Sequence, residues 1–153
     1  MLHFAYGSNM SRPLMMARCP GAHAIGTATL SGWRFVINEQ GFGSLAQRAG
    51  SRVYGVVWRL TARDFAAINA YESVDSGLYL RRCMAVRCGP RHMSALVYLT
   101  SKQVEGRPRP GYIHLVVEAA RDWKLPESYV RSLQRRSPSA WFGVRPRGTG
   151  EFG

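Results

Sequence analysis

The order of strand-like and helix-like segments constrains this chain more than any single residue. Leu2–Tyr6, Ala22–Leu30, Gly32–Asn38 and Arg52–Leu60 read as strands from their apolar runs and β-branched or aromatic content. Ser31-Gly32 suggests a tight hairpin between the second and third, and Gln40–Gly43 a glycine-rich turn. A short helix is expected at Ser11–Arg18, with Ser11 as N-cap and Pro13 in the first turn. Thr61-x-x-Asp64 reads as the cap of a helix over 62–72, with Phe65, Ile68 and Tyr71 at helical spacing. Leu78–Val86 and Met93–Thr100 form a strand pair around Gly89-Pro90. Tyr112, Leu115, Val116, Ala119, Ala120 and Trp123 then mark one helix face, and Pro126–Gln134 another helix. This succession lacks the strict strand–helix alternation of a parallel sheet. It predicts an α+β fold with a mostly antiparallel sheet or small barrel.

With 153 residues and 46% hydrophobic content, one domain with its own core is expected over 1–136. A basic Pro/Gly/Arg-rich tail follows over 137–153. The longest apolar stretches, such as Val53–Trp58, fall far short of the roughly 20 residues a membrane span needs. Residues 1–10 show no basic segment followed by a long apolar one, so a cytoplasmic protein is expected. The net charge is +12, from 19 Arg and 2 Lys spread along both halves. Such a field attracts anions of any kind. No nucleic-acid-binding module accompanies it, so nucleic acid is not the expected partner. Cys83, Cys88 and His92 have a spacing too loose for a zinc knuckle. The three cysteines are expected as reduced thiols in or near a core, and no metal or cofactor is expected.

Two segments carry chemistry. In Phe4-Ala5-Tyr6-Gly7-Ser8-Asn9-Met10 an apolar strand runs into Gly-Ser-Asn, which favours tight or left-handed backbone. Backbone N–H groups there suit an anion or a developing oxyanion, and equally suit an ordinary capped turn. In Tyr71-Glu72-Ser73-Val74-Asp75-Ser76-Gly77-Leu78-Tyr79, Glu72 follows an apolar helix face. A partly buried carboxylate at that position would titrate near neutrality and move protons; a solvated one would not.

Together these segments resemble the γ-glutamylcyclotransferase-like family. Arg18-Cys19-Pro20-x-Ala22, Val53-Tyr54-Gly55-Val56-Val57-Trp58, and Gly106-x-Pro108 with Tyr112, Ala119-Ala120 and Leu125-Pro126-x-x-Tyr129 extend the resemblance over about residues 2–134. It implies a small mixed barrel with flanking helices and a cofactor-free intramolecular aminolysis. A γ-glutamyl amide closes on its own α-amine to give 5-oxoproline and a free amine. The resemblance assigns Glu72 to proton transfer and Phe4, Ala5, Tyr6, Gly7, Ser8, Asn9 and Tyr112 to substrate binding. Tyr79 and Tyr98 suit the same cleft or a core, and His3 stands where some members carry an aromatic residue. Asp75 is a turn aspartate close to Glu72. The expected substrate is a γ-glutamyl amino acid or dipeptide. The alternatives are a γ-glutamylamine, as in an isopeptide or a secondary-metabolite intermediate, and a non-catalytic anion-binding scaffold of the same fold.

Overall fold

The computed structural model describes residues 1–72, 79–101 and 104–137. Five strands close into a barrel: β1 (Leu2–Ala5), β2 (His23–Ile37), β3 (Gly43–Arg59), β4 (Tyr79–Cys88) and β5 (Arg91–Thr100), in the spatial order β1-β3-β2-β4-β5. Four of the five pairings are antiparallel. The exception closes the barrel, with β1 parallel to β5 at His3↔Leu96. The expected mixed, mostly antiparallel barrel with flanking helices is the observed architecture.

Phe4, Leu45, Val53, Val56, Val57 and Val97 are fully buried in the core. β1 does not alternate apolar and polar residues, because both its faces are covered and His3, Phe4 and Ala5 are all buried. Gly55 sits where β3 crosses β1 most closely. A Cβ there would stand 2.2 Å from the Ala5 carbonyl oxygen and 2.8 Å from Phe4 Cζ.

The helices are α1 (Arg12–Arg18), α2 (Ala62–Tyr71), α3 (Tyr112–Asp122) and α4 (Glu127–Gln134). Ser11 caps α1, its hydroxyl accepting from Leu14 N–H at 3.4 Å. Thr61 and Asp64 form a reciprocal capping box on α2, as their spacing predicts. On α3 the buried face comprises Ile113, Val116, Val117, Ala119 and Ala120, while Leu115 is half-buried. The face is therefore rotated slightly from the expected one.

Two expectations about the sheet are corrected. Ser31-Gly32 is not a hairpin turn. β2 runs straight through it, with a register shift between Ser31 and Trp33 and Gly32 at φ +84°. The left-handed glycine bends the strand instead of reversing it. β3 starts at Gly43, well before Arg52, because residues 43–47 pair with Trp33–Ile37. That stretch has little strand propensity of its own, and its partner supplies the ladder. The β4–β5 turn is tighter than expected, only Gly89-Pro90, with Gly89 at φ +59°.

Of the cysteines, Cys19 is buried, Cys88 is half-buried and Cys83 is exposed, which corrects a core position for Cys83. Cys83 and Cys88 are five residues apart on one strand and so point to opposite faces. Among the described residues no helix is long and apolar enough to cross a membrane. Ser73–Gly77 with its turn aspartate Asp75, Leu78 and the tail beyond Ser137 lie outside the described residues.

Candidate active site

β1 delivers the chain into a single 3₁₀ turn, Ser8–Met10, before α1 begins. Met10 N–H donates to Gly7 O and Ser11 N–H to Ser8 O, both at 3.0 Å. Two indoles hold the outer side of this turn. Trp58 Nε1–H donates to Asn9 O at 3.1 Å, and Trp123 Nε1–H donates to Met10 O at 2.7 Å. The rings meet edge to face, 5.9 Å apart. One indole comes from β3 and the other from the end of α3, so barrel and helices fix the turn from two sides.

Glu72 is the C-terminal cap of α2, its N–H donating to Ile68 O at 2.9 Å. Asn9 Nδ2 donates to Glu72 Oε1 at 3.3 Å. Burial pushes the carboxyl up to about 7, against the opposing pull of Arg18. At neutral pH Glu72 is therefore divided between carboxylate and carboxylic acid.

Tyr112 opens α3 and reaches the far side of the turn. Its oxygen accepts from Gly43 N–H at 2.9 Å and from Ser8 N–H. Burial is the main cause that holds the phenol far above its ordinary range. With two N–H groups on the oxygen, its own proton is the part left to donate. A Cβ on Gly7 or Gly43 would come within 2.7 or 2.8 Å of that oxygen, so both glycines permit the close approach.

These groups line one cavity of about 210 Å³. Phe4, Ala5, Tyr6, Gly7, Ser8, Asn9, Glu72 and Tyr112 all border it, so the structure brings every sequence-predicted site residue together. Tyr79 and Tyr98 border it as well. The Tyr6 hydroxyl is committed to the Tyr98 carbonyl, and burial holds it well above its ordinary range. Tyr6 therefore faces the cavity with its proton already engaged.

His3 is neither exposed nor fully satisfied. It borders the cavity, donates from Nδ1 to Leu96 O at 3.2 Å and meets Tyr98 edge to face. Burial lowers it to about 4, so the ring is neutral. Its Nε2 is buried with no partner among the described residues.

Phe42, Gly43 and Tyr71 also line the cavity, none of them marked as a site residue by its local sequence. Tyr71 was expected on the buried face of α2. It is 45% exposed, beneath the Arg18 guanidinium at 3.6 Å. Phe42 and Gly43 arrive through the β2–β3 turn. There Asn38 Oδ1 accepts from Gln40 and Phe42 N–H at 3.0 Å, and Asn38 Nδ2 donates to the Tyr79 hydroxyl at 2.9 Å. The Gly-rich run after Asn38 was the available signal. Among the described lining residues Glu72 is the one carboxylate, and none is Lys or Arg.

A family model described as the AIG2-like family matches residues 52–133, the part of the chain that runs from β3 through α2 into α4. The chain belongs to the AIG2-like family. Two curated relatives, the γ-glutamylcyclotransferases of Mus musculus and Homo sapiens, are each 27% identical over 154 residues. Those alignments cover 93% of this chain and 81% of each relative. A solved structure titled γ-glutamyl cyclotransferase superposes with a TM-score of 0.84 at 24% identity. The match covers 100% of this chain and 93% of the other, so this AIG2-like chain shares that fold.

Proposed function

We propose that this chain is a γ-glutamylcyclotransferase that converts a γ-glutamyl amino acid or dipeptide to 5-oxoproline and a free amine. The observation that carries this reading is the half-buried Glu72, raised to about 7 and held across the cleft from the Gly7–Asn9 turn. The substrate's α-amine is largely an ammonium at neutral pH and must lose a proton before it attacks. Glu72 carboxylate takes that proton. The amine nitrogen then bonds to the γ-carbonyl carbon, and the carbonyl oxygen gains charge. Backbone N–H groups of the Tyr6–Asn9 segment other than that of Ser8, which Tyr112 occupies, stabilise it, at about 3 kcal/mol per donor in comparable sites. Protonated Glu72 passes its proton to the departing nitrogen as the C–N bond breaks; the regenerated carboxylate then takes the second proton from the ring nitrogen and hands it to the released amine, which leaves as an ammonium. One carboxyl thus serves as base and then acid, and its pKa near neutrality suits both roles. Tyr112 donates its remaining proton to the substrate.

The rim supports an anionic leaving group. Arg18 lies over Tyr71 at 3.6 Å and Arg109 over Phe42 at 4.9 Å, so two guanidiniums flank a cleft whose described lining has none. A leaving amino acid presents a carboxylate to them, whereas a polyamine presents a like charge. The test is 5-oxoproline release from γ-glutamyl-alanine, γ-glutamyl-ε-lysine, a γ-glutamyl polyamine and glutathione. The highest kcat/KM is expected with an amino-acid or dipeptide leaving group. Preference for the polyamine would overturn that assignment, and silence across the panel with folded protein would overturn the whole reading.

The pH dependence has a definite sign. Because the base form of Glu72 starts the reaction, kcat/KM is expected to rise with pH through a midpoint near 7. Initial rates between pH 5 and 9 read this directly, and a limb centred in the ordinary carboxylate range would contradict it. Tyr112→Phe strips the acceptor from Ser8 and Gly43 N–H and removes the donated proton. Leaving such groups unpaired costs about 1–3 kcal/mol. The expected result is a lower melting temperature and a loss of about tenfold or more in kcat/KM, by thermal melts and steady-state kinetics.

A further inference from the structure

Arg18 stands at the last turn of α1 and reaches back over the 3₁₀ turn. Its Nη1 donates to Asn9 Oδ1 and, at 3.3 Å, to Ser8 Oγ, while the guanidinium lies flat over Tyr71. An amide has one accepting end and one donating end. With Oδ1 taken by the guanidinium, Asn9 can present only Nδ2 to the next partner, and that partner is Glu72 Oε1 at 3.3 Å. A flipped amide would set its oxygen against the carboxylate.

The placement of Arg18 is over-determined. Just after it, Gly21 N–H donates to Asp64 Oδ1 at 3.3 Å and Cys19 Sγ–H to Asp64 O at 3.5 Å. The same Asp64 carboxylate accepts from Thr61 N–H at 3.2 Å to cap α2. The exit of α1 is therefore tied to the first turn of α2, while Arg18 lies over Tyr71, the last residue of α2, and meets Glu72 through the Asn9 amide. A Cβ on Gly21 would stand 2.9 Å from both Asp64 Oδ2 and Thr61 Cγ2, so the junction is closely packed.

We propose that Arg18 is a positioning residue of the cleft, fixing the Asn9 amide that orients the Glu72 carboxyl. The inference rests on Glu72 as the proton-transfer group. Arg18 also acts by charge. Tyr6 from β1, Tyr79 from β4, Tyr98 from β5 and Tyr112 from α3 each feel the Glu72 charge, and burial holds all four phenols up and neutral. Among the described residues the Arg18 guanidinium is the charge that acts on Glu72, and it favours the carboxylate. Its loss raises the Glu72 midpoint.

The experiment compares wild type with Arg18→Met, Arg18→Gln and Arg18→Lys. A ¹³C NMR titration of the Glu72 carboxyl in folded protein reads the midpoint without needing turnover. The Met and Gln variants are expected to move it to higher pH, and Lys to leave it near wild type. With γ-glutamyl-alanine, the acid limb of kcat/KM moves the same way. kcat of the Met variant falls about 10–10²-fold, as displacement of a reacting group does. Gln, which can still donate to Asn9 Oδ1, keeps more of its plateau rate than Met. Should Met fail to fold, the Gln and Lys pair carries the comparison. An unmoved midpoint in a folded variant without the cation overturns the proposal. A moved midpoint in a protein that releases no 5-oxoproline upholds the Arg18–Glu72 link and overturns the cyclotransferase reading instead.

Discussion

Glu72→Gln is expected to lower kcat for γ-glutamyl-alanine by at least about 10²-fold while the protein stays folded. The substitution keeps the volume and leaves an oxygen for Asn9 Nδ2, now at 3.3 Å from Glu72 Oε1. It removes only the capacity to take and return a proton. Because the wild-type carboxyl is already disfavoured as an ion by burial, a neutral amide adds no desolvation cost. The melting temperature is therefore expected to stay within about 2 °C of wild type. KM should change little, since the side chain acts on the reacting nitrogen more than on substrate affinity. A near-wild-type kcat would remove Glu72 from the mechanism. A collapse of the fold would show the residue to be structural.

The largest effect on stability is expected at Gly55, behind the β1 residues that line the cleft. A Cβ there would lie 2.2 Å from the Ala5 carbonyl oxygen and 2.8 Å from Phe4 Cζ. Neither neighbour can yield. Ala5 is held in the ladder opposite Val56, and Phe4 is fully buried. Gly55→Ala therefore forces β1 away from β3, at a cost of about 3 kcal/mol or more. For a domain of this size the melting temperature should drop by about 6–12 °C. Because β1 also carries the Gly7–Asn9 turn, the surviving folded fraction should have a reduced kcat. Thermal melts with parallel kinetics check both. An unchanged melting temperature would mean that the strands are not pressed together as described.

Part of this architecture is legible in the amino-acid sequence because its causes are local. Ser11 and Thr61 announce helix starts through side chains that satisfy the first free N–H groups. Glu72 and the Gly7–Asn9 turn stand out because each combines unusual residue types with the end of an element. What the sequence hides is set by partners distant along the chain. Residues 43–47 become strand only because Trp33–Ile37 supplies a ladder. Ser31-Gly32 has turn chemistry, yet the barrel uses its left-handed glycine as a bend. Tyr71 has the spacing of a core residue and is drawn out by a guanidinium from another helix. Arg18 belongs to a family-like segment, but its reach to Asn9 depends on α1 docking against α2, which no local pattern encodes. The same holds for Tyr112, whose hydroxyl meets Ser8 and Gly43 only once the barrel closes.

The most direct test of the central claim is the product balance of the wild-type reaction with γ-glutamyl-alanine, followed by NMR. Attack by the substrate's own amine yields 5-oxoproline and alanine in equal amounts, with no glutamate. Glutamate and alanine in equal amounts would mean that water, and not the α-amine, reaches the γ-carbonyl, and the account of Glu72 as the proton carrier of a cyclisation would be contradicted.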